Sequence, residues 1–179
     1  DTERMLIHIS ADSRYRLYIN GFQVGTGPCK GDRFNHYYET YDVTPYLHPG
    51  ENVIAASVLH LAPYGEHHVS GPNAIWRSPW GGLIVDAEKF YKSGKGSDGF
   101  GTDDAWKAYH DRSYVLVWES WISGNWLGGV ERVDGTVHPH GWQSAEFDDS
   151  AWGYARIVGE TENRWGLLND WALEPRAIP

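Results

Sequence analysis

The sequence predicts an all-β protein, an antiparallel β-sandwich of the jelly-roll type. Long stretches with helical periodicity are missing, whereas runs that alternate between polar and apolar residues recur along the chain. Turn-forming residues separate these runs at a spacing of roughly 8–12 residues, which is typical of sandwiches and jelly rolls. A length of 179 residues fits one domain. We therefore expect residues 1–179 to form a single sandwich domain.

The clearest local feature is a β-hairpin near the beginning of the chain. Residues 14–19 alternate, so that Tyr15, Leu17 and Ile19 share one face of a strand. The Asn20-Gly21 pair that follows favours a type I′ turn, because both central residues of that turn need a positive φ. We expect residues 22–24 to return antiparallel to the first strand.

The remaining elements follow in chain order. Residues 37–41 form another alternating run, and residues 42–47 predict a short helical turn capped by Asp42 or Thr44 ahead of Pro45. The apolar, β-branched residues 53–59 predict a central strand. Residues 60–81 form a long proline- and histidine-containing loop of the kind that is usually functional or packed against a partner. Further strands are expected at residues 82–90, 114–118, 128–133 and 154–158, with a capped helical start at 147–152.

Charge and hydropathy exclude two classes of partner. The net charge of −9, with no stripe of lysine or arginine to offset it, is unfavourable for nucleic acid. No run approaches the roughly 18 apolar residues of a membrane span. Cys29 is the only cysteine, so an internal disulfide is impossible.

Tryptophan is the most informative residue type, with ten copies, several of them beside glycine or polar residues. An indole offers a flat apolar face and one N–H donor, which suits stacking on a sugar ring. The candidate stacking residues are Trp76, Trp80, Trp126 and Trp142, and the candidate polar anchors are Asn125, Glu131 and Asp134. Packing of these indoles against another domain is the alternative. Trp106, Trp118 and Trp152 are expected in the sandwich core.

Several ordered motifs carry a family resemblance. Residues 10–25 (SADSRYRLYINGFQVG), the YDVT at 41–44 and the LHPGEN at 47–52 are followed by TDDAWK at 102–107, GGVERVD at 128–134, FDDSAW at 147–152 and a closing LEPRAIP at 173–179. This series resembles the N-terminal β-sandwich of bacterial α-L-rhamnosidases. It resembles more loosely the sugar-binding jelly roll of β-galactosidase-like enzymes, which is of the galactose-binding-domain type.

The resemblance implies an accessory, non-catalytic domain of a larger multidomain glycoside hydrolase. The family's catalytic carboxylates lie in a downstream (α/α)₆ barrel, so this fragment is not expected to be an enzyme by itself. The implied partners are a rhamnose-containing glycan, which the domain would bind or orient, and the catalytic domain of the same parent chain. Two alternatives stay open: a purely structural domain that braces the barrel, and a hydrolase with its own carboxylate pair.

Metal sites are weaker expectations. Calcium takes six to eight oxygen ligands, and Asp103 and Asp104 are the candidates for supplying some of them. His67-His68 and His138-Pro139-His140 are considered as zinc ligands, but no cysteine accompanies either pair. Histidines that hydrogen-bond within loops are the favoured interpretation.

Overall fold

The computed structural model describes residues 2–29, 31, 36–60, 81–91, 94–95, 99–117, 130–157 and 173–176. Their strands are β1 (Thr2–Asp12), β2 (Arg14–Ile19), β3 (Phe22–Gly27), β4 (His36–Asp42), β5 (Ile54–Leu59), β6 (Gly82–Tyr91), β7 (Gly94–Lys95), β8 (Phe100–Gly101), β9 (Lys107–Ala108), β10 (Tyr114–Val117), β11 (Val130–Val133), β12 (Gly153–Tyr154) and β13 (Leu173–Pro175). A single turn of 3₁₀ helix spans Thr44–Tyr46. Among these residues, no helix has the length and apolar character that crossing a membrane requires.

The strands form an antiparallel sandwich, as predicted. One sheet has the order β13-β4-β1-β6-β7, with β8 also paired to β6, and a second sheet has the order β3-β2-β5. Two short ribbons, β10-β11 and β9-β12, lie outside these sheets. Every pairing is antiparallel except that of β13 with β4.

The core lies between the two larger sheets. Alternate residues of each strand point inward because successive Cβ atoms of a strand lie on opposite faces. Burying each such aliphatic side chain contributes roughly 1.5–3 kcal/mol. The buried apolar residues come from β1, β2 and β6 with one from the turn after β4, and they are Met5, Ile7, Ile9, Ala11, Tyr15, Leu17, Ile19, Val43, Val85 and Ala87.

The predicted β2–β3 hairpin is confirmed. Asn20 and Gly21 have φ values of 49° and 82°, the positive pair that a type I′ turn needs. The Asn20 side chain then ties this turn to its neighbours. Its Oδ1 accepts from Val53 N at 2.8 Å, and its Nδ2 donates to Tyr46 O at 2.9 Å and to Asn52 Oδ1 at 2.8 Å. One asparagine therefore fixes the β2–β3 turn against the turn that leads into β5.

Three local predictions need correction. Residues 147–152 contain no helix: Asp148 Oδ1 accepts from Ser150 N at 3.0 Å, which makes an isolated turn. The run at 53–59 forms β5, which is an outer strand of its sheet among the described strands rather than a central one. Of the strand expected at 154–158, only Tyr154 is in a strand, as part of β12, and residues 155–157 are not.

β13 is attached to the sheet by an ion pair as well as by its parallel ladder. Arg176 donates to Glu39 Oε2 at 3.3 Å, and Cys29 N donates to Glu39 Oε1 at 2.8 Å. The Glu39 side chain is only 7% exposed. Removal of the Arg176 guanidinium would leave the buried Glu39 carboxylate without one of its described partners, which is unfavourable. The ion pair therefore helps to hold β13 in place.

Candidate functional site

A cleft of about 1180 Å³ borders β5, which is an outer strand of its sheet among the described strands. Its inner wall comes from side chains that face the sandwich interior, including Ile54, Leu83 and Lys89. Its outer wall comes from the turns at residues 142–152, and the turn at 47–52 closes one side.

Aromatic side chains dominate the outer wall. Trp142 is half-buried and meets Tyr18 edge-to-face, with ring centroids 5.4 Å apart. Trp152 stacks on Tyr109 at 5.2 Å and meets Phe147 edge-to-face at 5.4 Å. Such contacts fix the orientation of the rings. The outer wall therefore presents indoles whose positions are set before any ligand arrives.

Trp106 stands deeper in the cleft. Its indole Nε1–H donates to Gly101 O at 3.1 Å, and its ring packs against the core cluster. The expectation of a core position for Trp106 is thus met in part. Trp152 was also expected in the core, but it lines the cleft instead. Trp118 lies outside the described residues.

The turn at 47–52 is held by the Asn52 amide. Asn52 Nδ2 donates to His48 O at 2.8 Å and to Gly50 O at 3.0 Å, while Oδ1 accepts from His48 N at 3.0 Å and from Asn20. Thr44 is similarly occupied, because its Oγ1 accepts from Met5 N and donates to Asp42 Oδ1. These two polar side chains shape the cleft. The hydrogen-bonding capacity of the Asn52 amide is fully used, and the Thr44 hydroxyl has already committed its proton to Asp42.

The polar groups left to meet a ligand are few. Lys89, Lys107, His48 and Asp149 line the cleft. The backbone of β5 adds to them. Because Asn20 N donates to Val53 O, and hydrogen bonds alternate along an antiparallel pair, the N–H and C=O groups of Ile54 and Ala56 point away from β2.

Of the seven candidate sugar-binding residues, the structure places one in the cleft, Trp142. Glu131, on β11, and Asp134, directly after it, are exposed and are not among the lining residues. The Asp134 carboxylate accepts from Thr136 N at 2.9 Å and from Thr136 Oγ1 at 2.6 Å, and these hydrogen bonds lower its pKa. The other four candidates, Trp76, Trp80, Asn125 and Trp126, lie outside the described residues.

The metal candidates show no ligand cage in the described part of the chain. Within those ranges, no group of three or more His, Cys, Asp or Glu side chains is placed to hold a metal ion. Asp103 Oδ1 accepts from Ala105 N at 2.9 Å in a turn, and Asp104 is exposed beside it. A calcium ion at Asp103 and Asp104 therefore stays a prediction from sequence.

The histidines at 138 and 140 take part in loop hydrogen bonds. His138 Nδ1 lies 3.0 Å from Asp111 Oδ2 and 3.1 Å from Ser113 Oγ, and His140 Nε2 lies 2.8 Å from Gly135 O. The aspartate and the serine both approach the same ring nitrogen. A relay needs the two partners on opposite nitrogens, so this cluster joins two loops rather than activating a nucleophile. His67 and His68 lie outside the described residues.

Sequence reasoning missed Lys89, Phe100 and Lys107, which all line the cleft. Lys89 faces Met5 across β1–β6 and therefore lies on the inward side of the sheet. The alternating pattern of β6 shows which residues share each face of the strand. It does not show which end of the strand lines a cleft.

These features define an all-β sandwich domain with an aromatic cleft along one sheet edge. The chain belongs to the α-L-rhamnosidase N-terminal domain family, whose model matches residues 1–166. Two α-L-rhamnosidases are similar in sequence. That of Streptomyces avermitilis is 31% identical over 153 residues, or 83% of this chain and 14% of that protein. That of Formosa agariphila is 25% identical over 167 residues, or 87% of this chain and 16% of that protein.

Solved structures agree. The match to the GH78 family rhamnosidase of Bacillus sp. GL1 covers all of this chain and 17% of that protein's chain, with a TM-score of 0.68 and 30% identity. The match to the Streptomyces avermitilis α-L-rhamnosidase, solved in complex with L-rhamnose, covers 87% of this chain and 14% of that protein's chain, with a TM-score of 0.65 and 27% identity. The chain thus spans about one seventh of the length of the curated relatives it matches.

Proposed function

We propose that this domain binds rhamnose-containing glycans in the cleft beside β5 and positions them for the catalytic domain of a parent α-L-rhamnosidase. The observation that carries the proposal is the outer wall of fixed, half-buried indoles, Trp142 and Trp152, opposite a strand edge with outward-pointing backbone groups. Indole faces suit the apolar face of a pyranose, and backbone groups suit its hydroxyls. The family membership supports rhamnose as the sugar.

The proposed role is binding without cleavage. Hydrolysis of a glycosidic bond by the usual route needs two carboxylates, roughly 5–9.5 Å apart, on either side of that bond. Among the described residues that line the cleft, Asp149 is the only carboxylate. The cleft as described therefore supports recognition better than chemistry.

Calorimetry with L-rhamnose and a rhamnosylated oligosaccharide tests the proposal, together with a chromogenic rhamnoside assay on the same sample. We expect binding in the millimolar to micromolar range, or about −4 to −8 kcal/mol, without turnover. Trp142→Ala should weaken binding roughly tenfold, about 1.4 kcal/mol. Phe22→Ala is the matched control, because Phe22 is 64% exposed and does not line the cleft. Turnover would revive the hydrolase alternative.

A purely structural role is the second candidate, favoured by the exposed apolar side chains. Tyr154, Ile157 and Val137 are 69%, 65% and 53% exposed. A neighbouring domain that packed against these side chains would remove them from water. If calorimetry is silent for every sugar, and the parent enzyme loses thermal stability when these three residues become polar, the bracing role replaces the binding role.

A further inference from the structure

Lys89 places a positive charge on the inward face of the sandwich. It lies directly opposite Met5 in the β1–β6 register, and Met5 is buried in the core. Lysine is seldom found on a core-facing position unless its ammonium reaches water or an anion. Here the Lys89 Nζ lies 5.9 Å from the centroid of the Phe100 ring, and both side chains line the cleft. The sheet therefore presents this ammonium to the cleft.

Lys107 is the second lysine among the described residues that line the cleft. It lies on β9, opposite Tyr154 of β12, and its Nζ lies 4.6 Å from the Tyr154 ring centroid. An aromatic face orients an ammonium without neutralising its charge. Within the part of the chain that the structure describes, neither Lys89 nor Lys107 has a carboxylate within ion-pairing distance.

Among the lining residues that the structure describes, the balance of charge is opposite to that of the whole chain. The chain carries 24 acidic residues against 15 basic ones. The described lining carries two lysines against one carboxylate, that of Asp149. A net positive cleft in an acidic protein attracts an anionic ligand, and it does so most strongly at low ionic strength.

We propose that the cleft selects glycans in which rhamnose is accompanied by an anionic sugar, with Lys89 and Lys107 pairing with the negative group. This inference rests on the proposed sugar-binding function and names the class of glycan. A uronate carboxylate and a sulfate ester share the necessary chemistry. The indoles then contact the apolar face of the sugar chain, and the two ammoniums distinguish charged chains from neutral ones.

Calorimetry at low and moderate salt tests this with four probes: L-rhamnose, a neutral rhamnosyl-glucose disaccharide, a disaccharide of rhamnose and glucuronate, and a sulfated rhamnose. The glucuronate disaccharide should bind about fivefold tighter than the neutral disaccharide in 20 mM salt, roughly the effect of two partly exposed ion pairs. The advantage should shrink at 200 mM salt because of screening. Sulfated rhamnose shows which feature of the anion is recognised. If negative charge alone is recognised, sulfated rhamnose should bind more tightly than L-rhamnose. If the carboxylate itself is recognised, the two should bind equally.

Lys89→Met and Lys107→Met keep most of the side-chain stem and remove the charge. Each should weaken binding of the anionic probe more than binding of the neutral disaccharide, so that the advantage of the anionic probe shrinks. Arg132→Met is the matched control, because Arg132 is an exposed cation on β11 that does not line the cleft. Equal affinity of the wild type for charged and neutral disaccharides overturns this inference and leaves sugar binding standing. Absence of binding by every probe overturns both.

Discussion

Asn52 is the residue on which the shape of the cleft depends most directly, and its replacement by alanine should destabilise the domain. Its amide makes four hydrogen bonds, two to carbonyls of the 48–50 turn, one from His48 N and one from Asn20. Each intramolecular hydrogen bond contributes about 0.5–1.5 kcal/mol net, and water can replace part of this because the turn is exposed. We expect a loss of about 1–3 kcal/mol in the free energy of unfolding.

Chemical denaturation of the 179-residue chain measures this loss directly. For a chain of this size, a change of 2 kcal/mol corresponds to about 4–8 °C in Tm. Glu51→Ala is the matched control, since Glu51 is an exposed neighbour in the same turn. Asn52→Asp gives a second check, because a carboxylate oxygen in place of Nδ2 would face the His48 and Gly50 carbonyls. A loss no larger than that of Glu51→Ala, or full rescue by aspartate, would refute this reasoning.

Three further predictions concern the frame of the sandwich. Gly25→Ala should lower the free energy of unfolding by about 1–3 kcal/mol in a denaturant titration, because the new Cβ would overlap the Tyr41 ring. Replacing Tyr41 with a smaller residue in the same variant should recover part of that loss. The Thr44 hydroxyl bound to Asp42 holds the pKa of that carboxyl below its usual range. The stability it contributes is therefore present above about pH 4 and is lost as pH falls through the lowered pKa, so Asp42→Asn should be less stable than wild type at pH 6, and this difference should shrink as the pH falls below 4. Arg176→Met should speed amide hydrogen exchange in β13, and unchanged protection there would show that the ion pair is dispensable.

The parts of the fold that could be predicted are those encoded by neighbouring residues. The Asn20-Gly21 turn depends on the φ values of two adjacent residues, and the inward face of β2 depends on simple alternation. Both are visible in any short window of sequence. The family motifs, which are spread along the chain, allowed the fold class to be predicted for the whole chain.

The rest of the fold depends on pairings between distant segments. β13 pairs with β4 in parallel across more than 130 residues, and no pattern within Leu173–Pro175 indicates its partner. The cleft lysines were missed for the same reason. The inward position of Lys89 follows from the β1–β6 register, and the nearness of Lys107 follows from the short β9–β12 ribbon.

The central claim is that the indole of Trp142 meets a sugar in the cleft. The most direct measurement is the ¹⁵N–¹H correlation of the indole N–H groups during titration with L-rhamnose, with the Trp142 peak assigned from Trp142→Phe. A saturable shift of that peak, with a binding constant matching calorimetry, is the expected result. A Trp142 peak that stays fixed while calorimetry reports binding would place the sugar elsewhere and contradict the account.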